Sequence, residues 1–352
     1  MGDSSPAAGC DIRAEDLPSP PLHLLPPPPM SLLRRVFMRL MPVALLAGAL
    51  YYSTEGLIVL GVLFVLVVPF EKLFPRHKGQ KVRRPHVSTD ISFALATPLL
   101  GVIAGIGAIF VGIVSLAWIP GLLVRPLVAM IPESILPFVG ILLFDAAVYW
   151  THRFYHEIPI LWRFHSIHHS TEHLDWVSGF RAHPFDGTLV APAFVFLLVA
   201  GFSPELTGAL VVVQFLLGLF LHANVSWRLS PLHKIFITPE FHHWHHSNEP
   251  DALWTNYSTF LPIWDLILGT YYMPKDKRPQ VYGVSEHIPD GIVEQLLHPL
   301  RGLGNPLWGL RHPFKATRIA ARFSWRLVGD MKRSVFRGRG TSPRDIQMRT
   351  GD

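Results

Sequence analysis

The sequence predicts an all-α protein: a polytopic membrane helical bundle with a helical cap of histidine boxes on the cytoplasmic side. Three observations carry that prediction. Of its 352 residues, 49% are hydrophobic and only 16% are charged, against about 25% charged in soluble domains. Apolar runs at 42–70, 91–124, 127–150 and 187–221 reach the roughly 20 residues needed to cross a bilayer. Finally, nineteen histidines gather mostly between and after these runs, many of them at helical spacing.

Taken in order, residues 1–30 are rich in Pro, Ser and Ala and have no helical period. They read as a disordered tail, polyproline-like at "PPPP", and no signal peptide is expected at the start. The single cysteine, Cys10, lies in this tail, which excludes a disulfide framework and a thiolate metal cluster. Residues 31–86 form an N-terminal membrane segment and a basic loop. The run 42–70 carries one charge, Glu55, and fits either a tight hairpin or a single tilted span. "EKLFPRHKGQKVRR" then holds six Lys/Arg and belongs on the cytoplasmic side. From there 91–118 leads out, a short link containing Arg125 turns the chain, and 127–150 returns it. In 187–221, "GFSPEL" divides the run into two short, tilted helices. Both returns deliver the histidines that follow them to the cytoplasmic face. Residues 274–352 form a basic C-terminal cytoplasmic extension. Its "KATRIAARFSWR" and "MKRSVFRGRG" suit contact with anionic headgroups, with docking of an acidic electron carrier as the alternative. The final dozen residues read as disordered.

The stretch "HRFYHEIPILWRFHSIHH" sets His152 and His156 four residues apart, then His165, His168 and His169 at i, i+3, i+4. Side chains at these intervals share one helix face. "TPEFHHWHHS" repeats the second pattern with His242, His245 and His246, and His222 ends the last apolar run in "LHANVSW". Nine imidazoles from four segments are enough to give two metals four or five nitrogens each. Imidazole suits Fe, Zn, Cu and Ni alike. Ligating rings need acceptors for their other nitrogen, and Asp145 and Glu157 are the acidic residues expected there. His173, His183 and His243 lie beside the boxes and are further metal or supporting candidates. The aromatic residues between the histidines, such as Trp150, Phe154 and Trp162, fit helices lying at the bilayer interface. A transporter would carry ionisable residues within its spans, and a membrane cytochrome b would isolate histidines inside paired helices. Neither pattern is present. A dimetal zinc hydrolase could use the same ligands, although such sites usually spend fewer histidines per metal.

Together, "DAAVYWTHRFYHEIPILWRFHSIHHS", "RAHP", "HANVSW", "TPEFHHWHHS" and "NYSTFLPIWDLILGTYY" resemble the fatty acid hydroxylase/sterol desaturase superfamily over roughly residues 90–273. The resemblance implies a membrane catalytic domain at 87–273. Its three histidine boxes would be His152 and His156; His165, His168 and His169; and His242, His245 and His246, with His222 as the additional histidine. It implies two iron ions, with zinc able to replace them in purified protein, and O2 as co-substrate. The implied reaction is hydroxylation or desaturation of a lipid. The HxxxH form of the first box is similar to that of sterol desaturases, sterol methyl oxidases and alkylglycerol monooxygenases. That favours a sterol-like, hopanoid-like or ether lipid over a fatty acyl substrate. No glycine-rich dinucleotide fingerprint or haem domain is visible, so the resemblance implies an external electron donor: a cytochrome b5-like protein, a ferredoxin or a reductase. Membrane lipids are the other expected partners, and nucleic acid is not.

Overall fold

The structure, a computed structural model, describes residues 32–52, 54–301 and 313–335. The Pro-rich tail 1–30 and the final dozen residues lie outside the described residues. Among the described residues the chain is helical, with two isolated β-bridges and no strand.

The first apolar run is two helices, α1 (Leu32–Tyr52) and α2 (Thr54–Leu73). Met41 of α1 and Leu63 and Val67 of α2 pack on the core around Phe93 and Ala94 of α3 (Val87–Val114). Among the described residues, three helices are long and apolar enough to cross a membrane: α2, α3 and, later, Pro204–Leu221. On these helices Val65, Ile103 and Ile106 are 60–67% exposed. Rows of apolar side chains without a protein partner belong in lipid.

After α3 the chain departs from the predicted spans. Leu116 takes a left-handed conformation, φ 57°, and turns the chain into α4 (Trp118–Val128). The outward helix therefore covers 87–114 rather than 91–118, and Arg125 sits inside a helix rather than in a link. α4 packs against α7 (Ala191–Ala200) so closely that a Cβ at Gly121 would lie 2.8 Å from the Phe196 carbonyl oxygen. The next helix, α5 (Leu136–Glu157), starts later than the apolar run, with Pro137 in its first turn, where a missing N–H costs nothing. It continues beyond residue 150, so His152 and His156 extend the apolar helix itself. Phe144 and Val148 of α5 are buried against Ala193, Leu197 and Leu210. Each such side chain contributes about 1.5–3 kcal/mol.

The predicted division of 187–221 falls at "GFSPEL". Gly201 ends α7 at φ 101°, and Ser203 caps α8 (Pro204–Leu221) by accepting from Leu206 N at 3.1 Å. The polar cap comprises α6 (Pro159–His169), α9 (Pro239–His245), α10 (Ile263–Leu268), α11 (Ile292–Leu297) and the loops between them. A final basic helix, α12 (Pro313–Val335), meets α5 where Arg153 Nη2 donates to the Ser334 carbonyl oxygen at 3.0 Å.

Candidate metal centre

The break between the first two boxes is set by one dipeptide. A residue before proline avoids the α region, and Ile158, at φ −103° and ψ 115°, is extended before Pro159. α5 therefore ends just past His156, and α6 restarts in a new direction that carries His165, His168 and His169 back onto it. The third box is initiated in the same way: Thr238 caps α9 by accepting from Phe241 N, with Pro239 in the first turn. His222 is the residue on which α8 ends.

Nine rings from these four segments converge in two groups. One group is His152, His156, His165, His169 and His245; the other is His168, His222, His242 and His246. Within each group the nitrogens all lie within 4.8 Å of one another. The i, i+3, i+4 spacing does the sorting. Within the second box His165 and His169 turn to one group and His168 to the other. Within the third, His245 goes to the first group while His242 and His246 go to the second. The groups abut, with the rings of His169 and His246 stacked 4.1 Å apart.

The hydrogen bonds of the opposite nitrogens fix what the converging atoms can do. Nδ1–H of His152 donates to the Tyr257 carbonyl at 2.7 Å, and that of His245 to the Thr255 carbonyl at 2.9 Å. Nδ1–H of His168 donates to the Arg181 carbonyl at 3.0 Å, and that of His222 to the Gly218 carbonyl at 2.7 Å. His165 Nδ1 is 2.7 Å from the Asp186 carboxylate. With the proton held at Nδ1, each Nε2 presents a bare lone pair. Burial and neighbouring histidines push His168 down to about 3 and hold His169, His242, His245 and His246 well below the usual imidazole range. These five rings are therefore neutral, the form that binds metal.

Nε2 atoms face one another at 3.2 Å in His152–His165, His156–His245 and His165–His169. In the second group the spacings around His222 are 3.2 Å to His168, 3.1 Å to His246 and 3.3 Å to His242. Opposed lone pairs at that distance repel unless a cation lies between them. Metal–nitrogen bonds of about 2.0–2.1 Å put neighbouring ligand atoms about 2.9–3.4 Å apart. The donor set therefore fits a pair of metal ions.

The other sequence candidates lie elsewhere. His173, His183 and His243 belong to neither group. His183 Nε2–H donates to the Leu296 carbonyl, and His243 Nδ1 faces the Tyr282 hydroxyl. Asp145 faces no imidazole. Its carboxylate accepts from the backbone N–H groups of Thr259, Phe260 and Leu261 and from the Thr259 hydroxyl, which holds the loop that presents Tyr257. Glu157 accepts from Arg153 Nε at 3.0 Å. The acidic partner that sequence reading missed is Asp186, in "RAHPFDG".

A fatty acid hydroxylase family profile matches residues 137–270, which spans both groups. Ornithine lipid hydroxylase OlsE of Rhizobium tropici is 31% identical over 262 residues, covering 73% of this chain and 76% of that protein. Alkylglycerol monooxygenase of Danio rerio is 31% identical over 156 residues, 44% of this chain and 33% of that protein. Sphingolipid C4-hydroxylase sur2 of Schizosaccharomyces pombe is 29% identical over 147 residues, 40% of this chain and 50% of that protein. The chain thus spans a third of the monooxygenase and half of the sphingolipid hydroxylase. No solved structure gives a significant match.

Proposed function

This chain belongs to the fatty acid hydroxylase/sterol desaturase superfamily, and on that premise we propose that it is a membrane lipid hydroxylase whose two histidine groups hold a pair of iron ions. The observation that carries the reading is the convergence of nine imidazoles, Nε2 inward, in two abutting groups. His152, His156, His165, His169 and His245 would hold one ion, and His168, His222, His242 and His246 the other. Bound iron supplies O2 activation and redox chemistry, which acid–base side chains cannot.

The chain's own residues contribute orientation and exclusion of water. Asp186 and four backbone carbonyls hold the tautomer and direction of five of the nine rings. Trp162 lies 5.2 Å from the His156 ring and 5.5 Å from that of His169, and Tyr257 lies 5.3 Å from His156. These rings form an aromatic wall over the five-histidine group that keeps bulk water away from it. The substrate class is a long-chain membrane lipid with a polar headgroup. That is the common element of ornithine lipid, alkylglycerol and sphingolipid in the names of the relatives, and those names favour hydroxylation over desaturation. Electrons come from a separate reductase, ferredoxin or cytochrome b5-like carrier. The protein is multi-pass, with the histidine groups on the cytoplasmic face beside the basic 71–84 segment.

The test is elemental analysis of the detergent-purified protein beside His168→Ala. About two irons per chain, diminished in the variant, with O2-dependent addition of one oxygen to a membrane lipid, is the expected result. Two zincs and no lipid oxidation after iron loading would favour the hydrolase instead.

A further inference from the structure

Apart from the histidine groups, one cavity joins the two chemistries of a phospholipid. Phe64, Val68 and Lys72 recur every fourth residue on α2, so they share one face. Val87 and Ile91 do the same at the start of α3. The two faces line a cavity of about 130 Å³ together with Trp176 and residues 80–82. It is too small for a substrate pocket, which usually measures about 300–1,000 Å³. It compares instead with the roughly 150 Å³ that accepts a benzene-sized apolar group, so it suits part of an acyl chain. Phe64 and Ile91 stay 55% and 40% exposed, which opens the slot towards the bilayer along α2 and α3.

The charge at its mouth is unbalanced in one direction. Asp175, which lines the cavity, is held by Arg84 through two 2.6 Å contacts, and Asp90 is shared between Arg84 and Arg181. Those four charges cancel. Glu71, which lines the cavity beside Lys72, turns its Oε1 to the backbone N–H groups of Trp176 and Asn224, both at 2.9 Å, and offsets at most one of the cations that follow. Lys72 and Lys81 remain exposed at the rim, with Lys78 and Arg83 exposed in the same loop. Cations at the end of a membrane helix, above an apolar slot, complement a phosphate above an acyl chain.

We propose that this slot binds one anionic phospholipid, its phosphate at Lys72 and Lys81 and the upper part of one chain against Trp176. The site is separate from the histidine groups and does not depend on the reaction assigned to them.

The test is native mass spectrometry of the full chain in mild detergent, titrated with dioleoyl phosphatidylglycerol. Wild type should retain one lipid. Lys72→Gln with Lys81→Gln should weaken retention by roughly thirtyfold, from about one headgroup-attraction increment per lysine. Val68→Trp, which fills the slot and leaves both charges in place, should also lose the lipid. Unchanged metal content and melting temperature in the lysine variant would show that it is folded. Three results would overturn the proposal: no lipid retained by wild type, equal retention by the folded lysine variant, or displacement of the lipid by millimolar inorganic phosphate, which would make the site one for free phosphate.

Discussion

The two histidine groups look alike in ligand chemistry and differ in what stands behind them. The five-histidine group has a carboxylate, Asp186, on His165, and takes two carbonyls, those of Tyr257 and Thr255, from one loop. The four-histidine group relies on the carbonyls of Arg181 and Gly218 and, among the described residues, has no carboxylate hydrogen-bonded to a ring. One group therefore carries a buried negative charge and a spare ligand, and the other carries neither. An anionic partner raises the basicity of its imidazole, so the five-histidine group should hold its ion more tightly. The general lesson is that one repeated motif can furnish two unequal sites, because inequality enters through residues outside the motif.

The largest expected effect is the most direct test of that contrast. His168→Ala leaves the second group three rings, and it should abolish hydroxylation and empty that position. His156→Ala leaves the first group four, and it should retain part of its metal. Equal loss of metal in both variants would mean that the spare ligand contributes nothing. Next in size are the carboxylates that hold the supporting loops. Asp145→Ala frees the 259–261 loop from four hydrogen bonds and should weaken the five-histidine group. Asp90→Ala leaves Arg181, whose carbonyl orients His168, without its ion pair and should weaken the other group. Each should lower stability by about 3–5 kcal/mol, read as thermal unfolding in detergent. If both variants lost the same metal ion, the two loops would not be specific to their groups. Smaller again is Asp186→Ala, expected to lower metal affinity roughly 10- to 100-fold in a chelator competition, with the loss confined to the more tightly held ion.

How far this was legible in the sequence follows from the range of each interaction. The spacing in "HRFYHEIPILWRFHSIHH" and "TPEFHHWHHS" already placed the rings on common faces, because helix periodicity is local. The spacing keeps each i, i+4 pair together, but which group each pair joins was not legible, since it depends on where α8 and α9 arrive. Asp145 was visible as an acid in an apolar run, but its partners lie more than a hundred residues away. Asp186 offered a weak signal, an acid opening an apolar stretch beside "RAHP". The carbonyls of Tyr257, Thr255, Arg181 and Gly218 offered none, because a backbone acceptor has no residue signature. Arg125 misled for the opposite reason: a charge between apolar runs suggests a link, yet α4 runs through it on the strength of its packing against α7.

The smallest predicted effect concerns a brace on α9, the helix that sends His245 to one group and His242 to the other. The Tyr282 hydroxyl lies 3.1 Å from His77 Nε2 and 3.3 Å from Nδ1 of His243, on the helix that carries His242. Burial, with help from Arg76 and His173, lowers His77 to about 4. A depressed imidazole is neutral in the fold while the unfolded chain still takes up its proton near 6.5, so stability falls as pH drops from about 6.5 towards 4. After allowance for solvent screening the effect is about 1–2 kcal/mol. His77→Gln keeps a hydrogen-bonding side chain and removes the titration. Wild type should therefore lose stability relative to His77→Gln across that window and level off below it. The difference between the two unfolding curves isolates His77 from the other histidines. A difference independent of pH would mean that the brace on this shared helix is packing alone.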